Sequence, residues 1–184
     1  EVVNDEFGVP LLVSFCPLCG SGVVADRVVD GRTLTFGVSG LLWESDLVMY
    51  DAETDSLWSQ LLAKAINGEL TGTQLRLRPS TLTTWGQGTA SYPDSEVLLP
   101  SPISKTVRGG IYPDYERDPY LSYSRGRRIG IGRNEDVDDR LHPKTLVIGI
   151  AHDGVARAYP LSEVVEAGRV VNDTVGGLPV VVAA

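Results

Sequence analysis

The sequence predicts a mainly β fold: a duplicated, barrel-like domain of antiparallel sheet with two or three short helices. Short apolar segments rich in Val, Leu and Thr recur along the chain, and Gly, Pro, Asn or Asp bound most of them. The dipeptide Asp-Gly stands between such segments twice, at Asp30-Gly31 and Asp153-Gly154, which is typical of two-residue hairpin turns. Strand and helix signals do not alternate regularly, which argues against a doubly wound parallel sheet.

Most predicted elements are strands. The segments expected to form them are PLLVSF, GVVADRVV, RTLTFGVS, SDLVMYD, QLRLRP, SEVLL, TLVIGIA and LPVVVAA. One helix is expected in STLTTWGQGTASYPD, with Ser80 or Thr83 as its N-cap, and another in PLSEVVEAG, with Ser162 as N-cap and Gly168 at its end. The segment SLWSQLLAKAING fits either a helix or a twisted strand pair.

Two similar sequence segments indicate a duplication within one β-rich domain spanning residues 1–184. VVNDEFGVPLLVSF starts at residue 2 and VVNDTVGGLPVVVAA starts at residue 170, and the two share a tetrapeptide, a glycine, a proline and an apolar strand in the same order. The chain is therefore expected to begin and end inside repeat units, as an excerpt of a longer protein. The terminal repeat strands are candidates for homo-oligomer formation or strand exchange.

Residues 100–140 have a different composition from the rest of the chain. They carry four of the seven tyrosines, several prolines and clustered charges with little periodicity. A long ordered loop is expected there, because a disordered linker rarely holds so many aromatic residues. The acidic run at residues 134–139 lacks the glycine and terminal glutamate of a calcium loop, so it is expected to be a solvated surface.

Charge and hydropathy exclude several classes of partner. The net charge is −8, which argues against a nucleic-acid partner. No apolar run approaches the roughly 20 residues of a transmembrane helix. No basic segment followed by an apolar one marks an export signal within these residues, which leaves location open because mature chains lose such signals.

The candidate site is the segment CPLCG, which holds both cysteines, Cys16 and Cys19. Two thiolates separated by two residues can chelate one metal ion, and the glycine lets backbone amides point at sulfur. A second knuckle is missing, so the further candidate ligands are His152, His142 and Met49. Copper(I) tolerates two or three soft ligands, whereas zinc prefers four, so copper is the first candidate and zinc the second.

Two other interpretations of the cysteine pair remain open. A redox dithiol needs an activated Cys16, but the following GSGVVADRV predicts a turn and a strand rather than the activating helix N-terminus. A structural disulfide between Cys16 and Cys19 would suit an oxidising compartment. No nucleophile elbow, phosphate-binding loop or zinc-protease motif is present, so whether the protein is an enzyme is left open.

Long stretches of the chain are similar to one family. The CPLCGSG and SDLVMYD blocks, with TTWGQGTASYPDSEVL and DRLHPKTLVIGIAHDGVARAYPL further on, resemble the domain-of-unknown-function 3179 family of prokaryotes. The resemblance implies an extracytoplasmic protein, since members are often made with export or lipoprotein signals. The expected function is metal binding or thiol redox chemistry at CPLCG. The alternative is a non-catalytic structural or assembly module of the cell envelope or an extracellular polymer, with the cysteines as a disulfide.

Overall fold

Antiparallel strand pairs make up most of the regular structure. The computed structural model describes residues 1–98, 120–131 and 138–184. The predicted loop at 100–140 and the acidic run at 134–139 lie mostly outside these residues. The strands are β1 (Val2–Glu6), β2 (Pro10–Cys16), β3 (Ser21–Asp26), β4 (Val28–Val29), β5 (Arg32–Thr33), β6 (Phe36–Trp43), β7 (Asp46–Asp51), β8 (Leu57–Ser59), β9 (Lys64–Asn67), β10 (Val147–His152), β11 (Val155–Pro160), β12 (Val170–Val175) and β13 (Leu178–Ala183). The helices are α1 (Trp85–Ser91), α2 (Leu121–Arg125) and α3 (Leu161–Glu166).

The predicted β-rich class of antiparallel sheet with two or three short helices is confirmed, with three helices and no closed barrel among the described residues. Every strand pair between the named strands is antiparallel. The sheets that the described residues form have two to four strands and stay open. A sheet of two to four strands has too few strands to join its two edges into a closed barrel.

The chain divides into two units, residues Glu1–Tyr123 and Ser124–Ala184. The first unit contains a three-stranded sheet in the order β1-β2-β3 and a four-stranded sheet in the order β6-β7-β8-β9. Strand β7 lies inside its sheet and is buried at five of six positions, which are the apolar residues 47–49 and the aspartates at its two ends, Asp46 and Asp51. The predicted single domain and its internal duplication stay predictions.

The buried apolar side chains of the first unit's described residues form one hydrophobic core. Its fully buried members include Leu12 on β2, Met49 on β7 and Trp58 on β8. The ring of Trp58 meets the edge of Phe36 with centroids 5.4 Å apart and planes at 78°. The Trp58 indole N–H donates to the buried carboxylate of Asp51 at 2.9 Å, so this large side chain is buried without an unsatisfied donor.

The predicted hairpin turns form, but the helix N-caps lie at other residues than those predicted. Both Asp-Gly dipeptides form the predicted hairpin turns, with positive φ at Asp30 and Asp153 as well as at the glycines. Helix α1 forms as predicted, but its N-cap is Thr84, which makes a capping box with Gln87. Helix α3 starts at Leu161, so the predicted N-cap Ser162 lies inside the helix.

The structure decides one ambiguous prediction and corrects two strand predictions. The ambiguous SLWSQLLAKAING segment forms β8 and β9 rather than a helix. QLRLRP makes only isolated bridges, including Ala25↔Leu77, because it follows β3 for too short a distance to build a ladder. SEVLL forms no strand in its described residues 95–98.

The described residues of the second unit form two hairpins and a short helix. Strand β10 pairs with β11, and β12 pairs with β13. Its core consists of Tyr159, Val164, Val175 and Val182, with Ile148 and Ile150 among the half-buried side chains packed against it. Gly176 has a positive φ of 53°, and a Cβ there would lie 2.2 Å from the His152 carbonyl oxygen. Glycine is therefore required at this turn, both for its backbone conformation and for the close approach.

Candidate metal centre at the β2–β3 knuckle

The two cysteines lie at the tip of a β-hairpin. Cys16 is the last residue of β2 and pairs with Ser21, the first residue of β3, so Pro17–Gly20 form the connecting turn. The Gly20 amide donates to the Cys16 carbonyl at 2.8 Å, and Gly20 adopts a φ of 65° that L side chains resist. The alternation of β2 turns Cys16 inward, where only 1% of it is exposed, while Cys19 is exposed.

A third potential ligand, Asp46, comes from a different sheet. Its carboxylate is buried, and its Oδ2 accepts hydrogen bonds from the Ser59 hydroxyl at 3.1 Å and from the Leu61 amide at 2.9 Å. Asp46 follows a two-residue turn in which Glu44 and Ser45 both have positive φ. Non-glycine residues adopt this conformation at a cost, so the surrounding structure fixes where Asp46 starts β7.

The three side chains converge. One sulfur or carboxylate oxygen from each of Cys16, Cys19 and Asp46 lies within 4.8 Å of the other two. The Sγ of Cys19 is 3.4 Å from Asp46 Oδ1. The two sulfurs are about 3.0 Å apart, well beyond the roughly 2.05 Å of an S–S bond. The predicted disulfide is therefore wrong for this structure, in which both cysteines are free thiols.

The two sulfurs differ in their affinity for a proton. A hydrogen bond from Cys19 lowers the pKa of Cys16 to about 6, assisted by backbone amides of Cys19, Leu47 and Leu18 and opposed by burial. The same contact with Cys16, together with burial and the charge of Asp46, raises the pKa of Cys19. The contact therefore favours a pair that shares one thiolate and one proton, with the thiolate favoured on Cys16. Any metal that binds both sulfurs must displace that proton, so its affinity falls as the pH falls.

A buried polar chain supports the exposed thiol. Ser21 Oγ lies 2.9 Å from Cys19 Sγ and 2.9 Å from Gln60 Oε1. The fully buried Gln60 amide group donates onward to the Ser14 hydroxyl at 3.2 Å. No buried side-chain nitrogen or oxygen among the described residues lacks a hydrogen-bond partner. The cysteine pair is thus held on one side by backbone and on the other by a satisfied polar network.

Comparison with known proteins places the chain in a family. A family model described as "Protein of unknown function (DUF3179)" matches residues 1–184. The chain belongs to the DUF3179 family. Comparisons with curated proteins and with solved structures gave no match. Across residues 1–98, 120–131 and 138–184 of this DUF3179 chain, none of the helices has the length and apolar character needed to cross a membrane.

The other predicted ligands of this DUF3179 protein lie elsewhere in the fold. Met49 is fully buried in the first unit's core, with Val38 and Trp58 as its partners on neighbouring strands. His152 ends β10, and His142 lies in a turn where its Nδ1 accepts the Lys144 amide at 3.1 Å. Both histidines belong to the second unit. Their roles as ligands stay predictions.

Sequence reasoning missed Asp46, Ser21 and Gln60. Asp46 lies 27 residues beyond Cys19, and nothing in the spacing connects them. The one available signal was that Asp46 is the second residue of the SDLVMYD block, an acidic residue directly before its apolar run. Such a residue is normally exposed, so its burial depends on the tertiary fold.

Proposed function

We propose that this protein binds one transition-metal ion at Cys16, Cys19 and Asp46, and that the ion is zinc. The observation that carries the proposal is the buried Asp46 carboxylate facing a pair of adjacent thiols. Burying a carboxylate beside a thiolate is unfavourable without a cation, because two anionic groups then share a site of low dielectric. A divalent ion bound by all three groups would offset most of this repulsion, with release of the Cys19 proton.

The donor set favours zinc over copper. Zinc is bound by thiolate sulfur and by carboxylate oxygen, and three protein ligands leave its fourth position for water or another small ligand. Copper(I) prefers sulfur and imidazole donors, so the carboxylate of Asp46 makes copper the second candidate. Carboxylate-rich oxygen sites suit magnesium and calcium, which two thiolates disfavour.

Thiol–disulfide exchange fits the geometry less well. An exchanging dithiol needs an accessible thiolate as its nucleophile. Here the sulfur with the lowered pKa belongs to the buried Cys16, whereas the exposed Cys19 has the raised pKa and keeps its proton. The sulfur that is favoured as a thiolate is therefore the one that solvent reaches least.

The proposal is tested by measuring metal content and affinity. The full chain is purified anaerobically without chelator, and elemental analysis is expected to find about one zinc per chain. Cys19→Ser should abolish stoichiometric zinc, and Asp46→Asn should weaken zinc binding by about ten- to hundred-fold in a chelator competition. Asp55→Asn is the matched control, because it removes an exposed carboxylate in the first unit and asparagine tolerates the positive φ at that position.

The results separate the alternatives. Wild-type protein that takes up no zinc or copper, even when either is added in excess, would contradict the proposal and favour a structural module. If the protein instead binds one copper per chain and zinc does not compete for the site, the proposed ion is copper and not zinc. If Asp46→Asn binds zinc as tightly as Asp55→Asn does, the carboxylate is not a ligand. Circular dichroism of each variant establishes that a loss of binding is not a loss of fold.

The same proposal includes a location outside the cytoplasm. Resemblance to a family whose members often carry export or lipoprotein signals supports this location. Two thiols about 3.0 Å apart would oxidise readily in such a compartment, and a bound metal would protect them. Cell fractionation of the native host with an antibody to the protein should find it outside the cytoplasmic fraction, and recovery from the cytoplasm would contradict this part of the proposal.

A further inference from the structure

The Ser21 hydroxyl lies beside the three ligands of the proposed zinc site. Those ligands, Cys16, Cys19 and Asp46, account for three of the four that zinc usually takes. Ser21 Oγ is 2.9 Å from Cys19 Sγ. Structural zinc sites are closed by a fourth protein ligand, whereas catalytic sites keep the fourth position for water or substrate. The role of Ser21 therefore determines which kind of zinc site this is.

The single proton of the Ser21 hydroxyl is directed away from the cysteines. Ser21 Oγ donates this proton to Gln60 Oε1 at 2.9 Å. The orientation of the Gln60 amide group is fixed, because its Nε2 donates to the Ser21 carbonyl at 3.4 Å and to the Ser14 hydroxyl at 3.2 Å. A carbonyl can only accept, so the amide nitrogen and not the amide oxygen must face it. Ser21 Oγ therefore presents lone pairs, and no proton, toward Cys19.

Acceptors outnumber protons around the sulfur of Cys19. Three acceptors compete for the one proton of this thiol. They are the Cys16 sulfur about 3.0 Å away, Asp46 Oδ1 at 3.4 Å and Ser21 Oγ at 2.9 Å. A thiol proton satisfies one of them at a time. Sulfur and oxygen lone pairs that converge on one point are the arrangement that a metal cation requires, and Ser21 contributes to it alongside the three assigned ligands.

The charge of the loaded site favours a neutral fourth ligand. Two thiolates and one carboxylate bring three negative charges to a divalent ion, so one negative charge is in excess. A further anionic ligand would add a second excess charge beside the buried Cys16 and Gln60, where water screens charge poorly. A hydroxyl that keeps its proton adds an oxygen donor without adding charge. Ser21 therefore meets the charge requirement as well as the geometric one.

We infer that the Ser21 hydroxyl is the fourth zinc ligand, so that the site is closed and structural rather than open and catalytic. This inference rests on the proposed zinc function. A sulfur and an oxygen ligand lie about 3.6 Å apart on a tetrahedral zinc ion, from bond lengths of roughly 2.3 and 2.1 Å. Asp46 Oδ1 is already 3.4 Å from Cys19 Sγ, and Ser21 Oγ reaches the required separation by moving outward by about 0.7 Å. Gln60 is the positioning residue that keeps the Ser21 proton away from the ion.

Cobalt substitution tests whether the fourth position is closed. Co²⁺ binds the same kinds of donor as zinc, and its visible absorption spectrum reports on its ligands. The full chain is loaded with one cobalt ion and titrated with imidazole, a small neutral ligand for any open position. The wild-type spectrum should not change. In Ser21→Ala, where exchangeable water takes the fourth position, imidazole should shift the visible bands in a saturable way, and zinc affinity should fall by about tenfold or more.

Two further variants separate a ligand from a residue that only supports the site. Ser14→Ala is the matched control, because it removes a hydroxyl that bonds to the other end of the Gln60 amide group. Its cobalt spectrum should resist imidazole as the wild type does. Ser21→Cys should also resist imidazole and should gain sulfur-to-cobalt charge-transfer absorption, because a third thiolate then occupies the fourth position. An equal imidazole response in Ser14→Ala and Ser21→Ala, or a Ser21→Cys variant that responds as Ser21→Ala does, would overturn the inference.

The wild-type titration distinguishes failure of this inference from failure of zinc binding. If imidazole changes the cobalt spectrum of the wild type as it changes that of Ser21→Ala, the fourth position is open and the inference is wrong, while the metal site stands. If the wild type takes up neither cobalt nor zinc, the proposed zinc function is wrong and this inference is wrong with it. Neither result depends on whether a variant folds.

Discussion

The hairpins β1–β2 and β12–β13 share a register but bury opposite faces. Val2 pairs with Ser14 as Val170 pairs with Ala183, and the two VVND segments occupy equivalent positions. In the first hairpin the face that carries Leu12 enters the core, and Leu12 is 0% exposed. Its equivalent on β13, Val181, is 68% exposed.

The second hairpin buries the other face of its strands. Val182, next to Val181, is only 2% exposed and packs with Val164 of α3. Strand segments such as LLV and VVV are apolar on both faces, so their sequence does not specify which face becomes buried. Local sequence therefore determines that a hairpin forms and with which register, while the neighbouring elements determine which side of it is core.

The largest expected effect is on the free energy of unfolding, and it distinguishes the buried face of the first hairpin from the exposed face of the second. Leu12→Ala should lower the free energy of unfolding of the first unit by about 2–5 kcal/mol, because it leaves a cavity in a packed core. Val181→Ala should change the stability of the second unit by no more than about 0.5 kcal/mol. Urea denaturation followed by signals assigned to each unit measures both. If Val181→Ala lowered stability as much as Leu12→Ala does, the face of the second hairpin that carries Val181 would be covered in solution.

A control within the second hairpin sharpens this comparison. Val182→Ala removes the same atoms as Val181→Ala but from a buried position, and should cost about 1.5–3 kcal/mol. If the two neighbouring valines gave equal effects, the assignment of faces in this hairpin would be wrong.

The comparison also shows how far the sequence could predict the fold. Turns were predictable where the chain carries its own conformational signal, as at Asp30-Gly31 and at the Cys16–Gly20 knuckle. Asp46 could not be predicted, because a turn of two non-glycine residues and the burial around it place the carboxylate. Of the candidate metal ligands, the sequence alone therefore indicates the two cysteines, whereas the tertiary fold is needed to place the carboxylate.

A second prediction concerns the asparagine that both hairpins contain. The Asn4 side chain donates to the Phe36 carbonyl and accepts the Phe36 amide, both at 2.8 Å, so it joins β1 to the start of β6. Asn172, at the equivalent position of β12, is exposed. Asn4→Ala should cost about 1–3 kcal/mol because it leaves both Phe36 backbone groups without their partner, whereas Asn172→Ala should cost no more than about 0.5 kcal/mol.

Hydrogen exchange distinguishes this contact from a general loss of stability. The Phe36 amide should lose protection in Asn4→Ala by more than the other amides of β6 do. Asn4→Asp retains an acceptor for the Phe36 amide but has no donor for its carbonyl, so its stability should lie between wild type and Asn4→Ala. Equal effects of Asn4→Ala and Asn172→Ala would contradict the clamping role of Asn4.

The smallest expected effect is a pH dependence confined to the second hairpin. The Arg157 guanidinium lowers the pKa of Asp173 to about 2, assisted by the Thr174 amide and the Tyr159 hydroxyl. The equivalent Asp5 accepts only the Glu6 amide on its carboxylate, and no cation lies against that carboxylate in the described residues. The two hairpins therefore place the same residue in different electrostatic surroundings.

The sign of the effect follows from the direction of the shift. Because the pKa of Asp173 is lower in the folded chain than the ordinary value of about 3.9, its ionised form stabilises the fold above about pH 4. That contribution is lost as the pH falls from about 4 to about 2. Both partners are partly exposed, so the loss should be small and should shrink further at high salt.

Carboxyl-carbon NMR measures this titration directly. The Asp173 signal should titrate with a midpoint of about 2 in the wild type. The midpoint should move upward in Arg157→Gln, because that substitution removes the cation that favours the carboxylate. Asp5→Asn is the control that removes a carboxylate from the equivalent hairpin position, and it should leave the Asp173 midpoint unchanged. A wild-type midpoint near 3.9, or one that Arg157→Gln does not move, would show that the ion pair does not persist in solution and that Arg157 is free to point elsewhere.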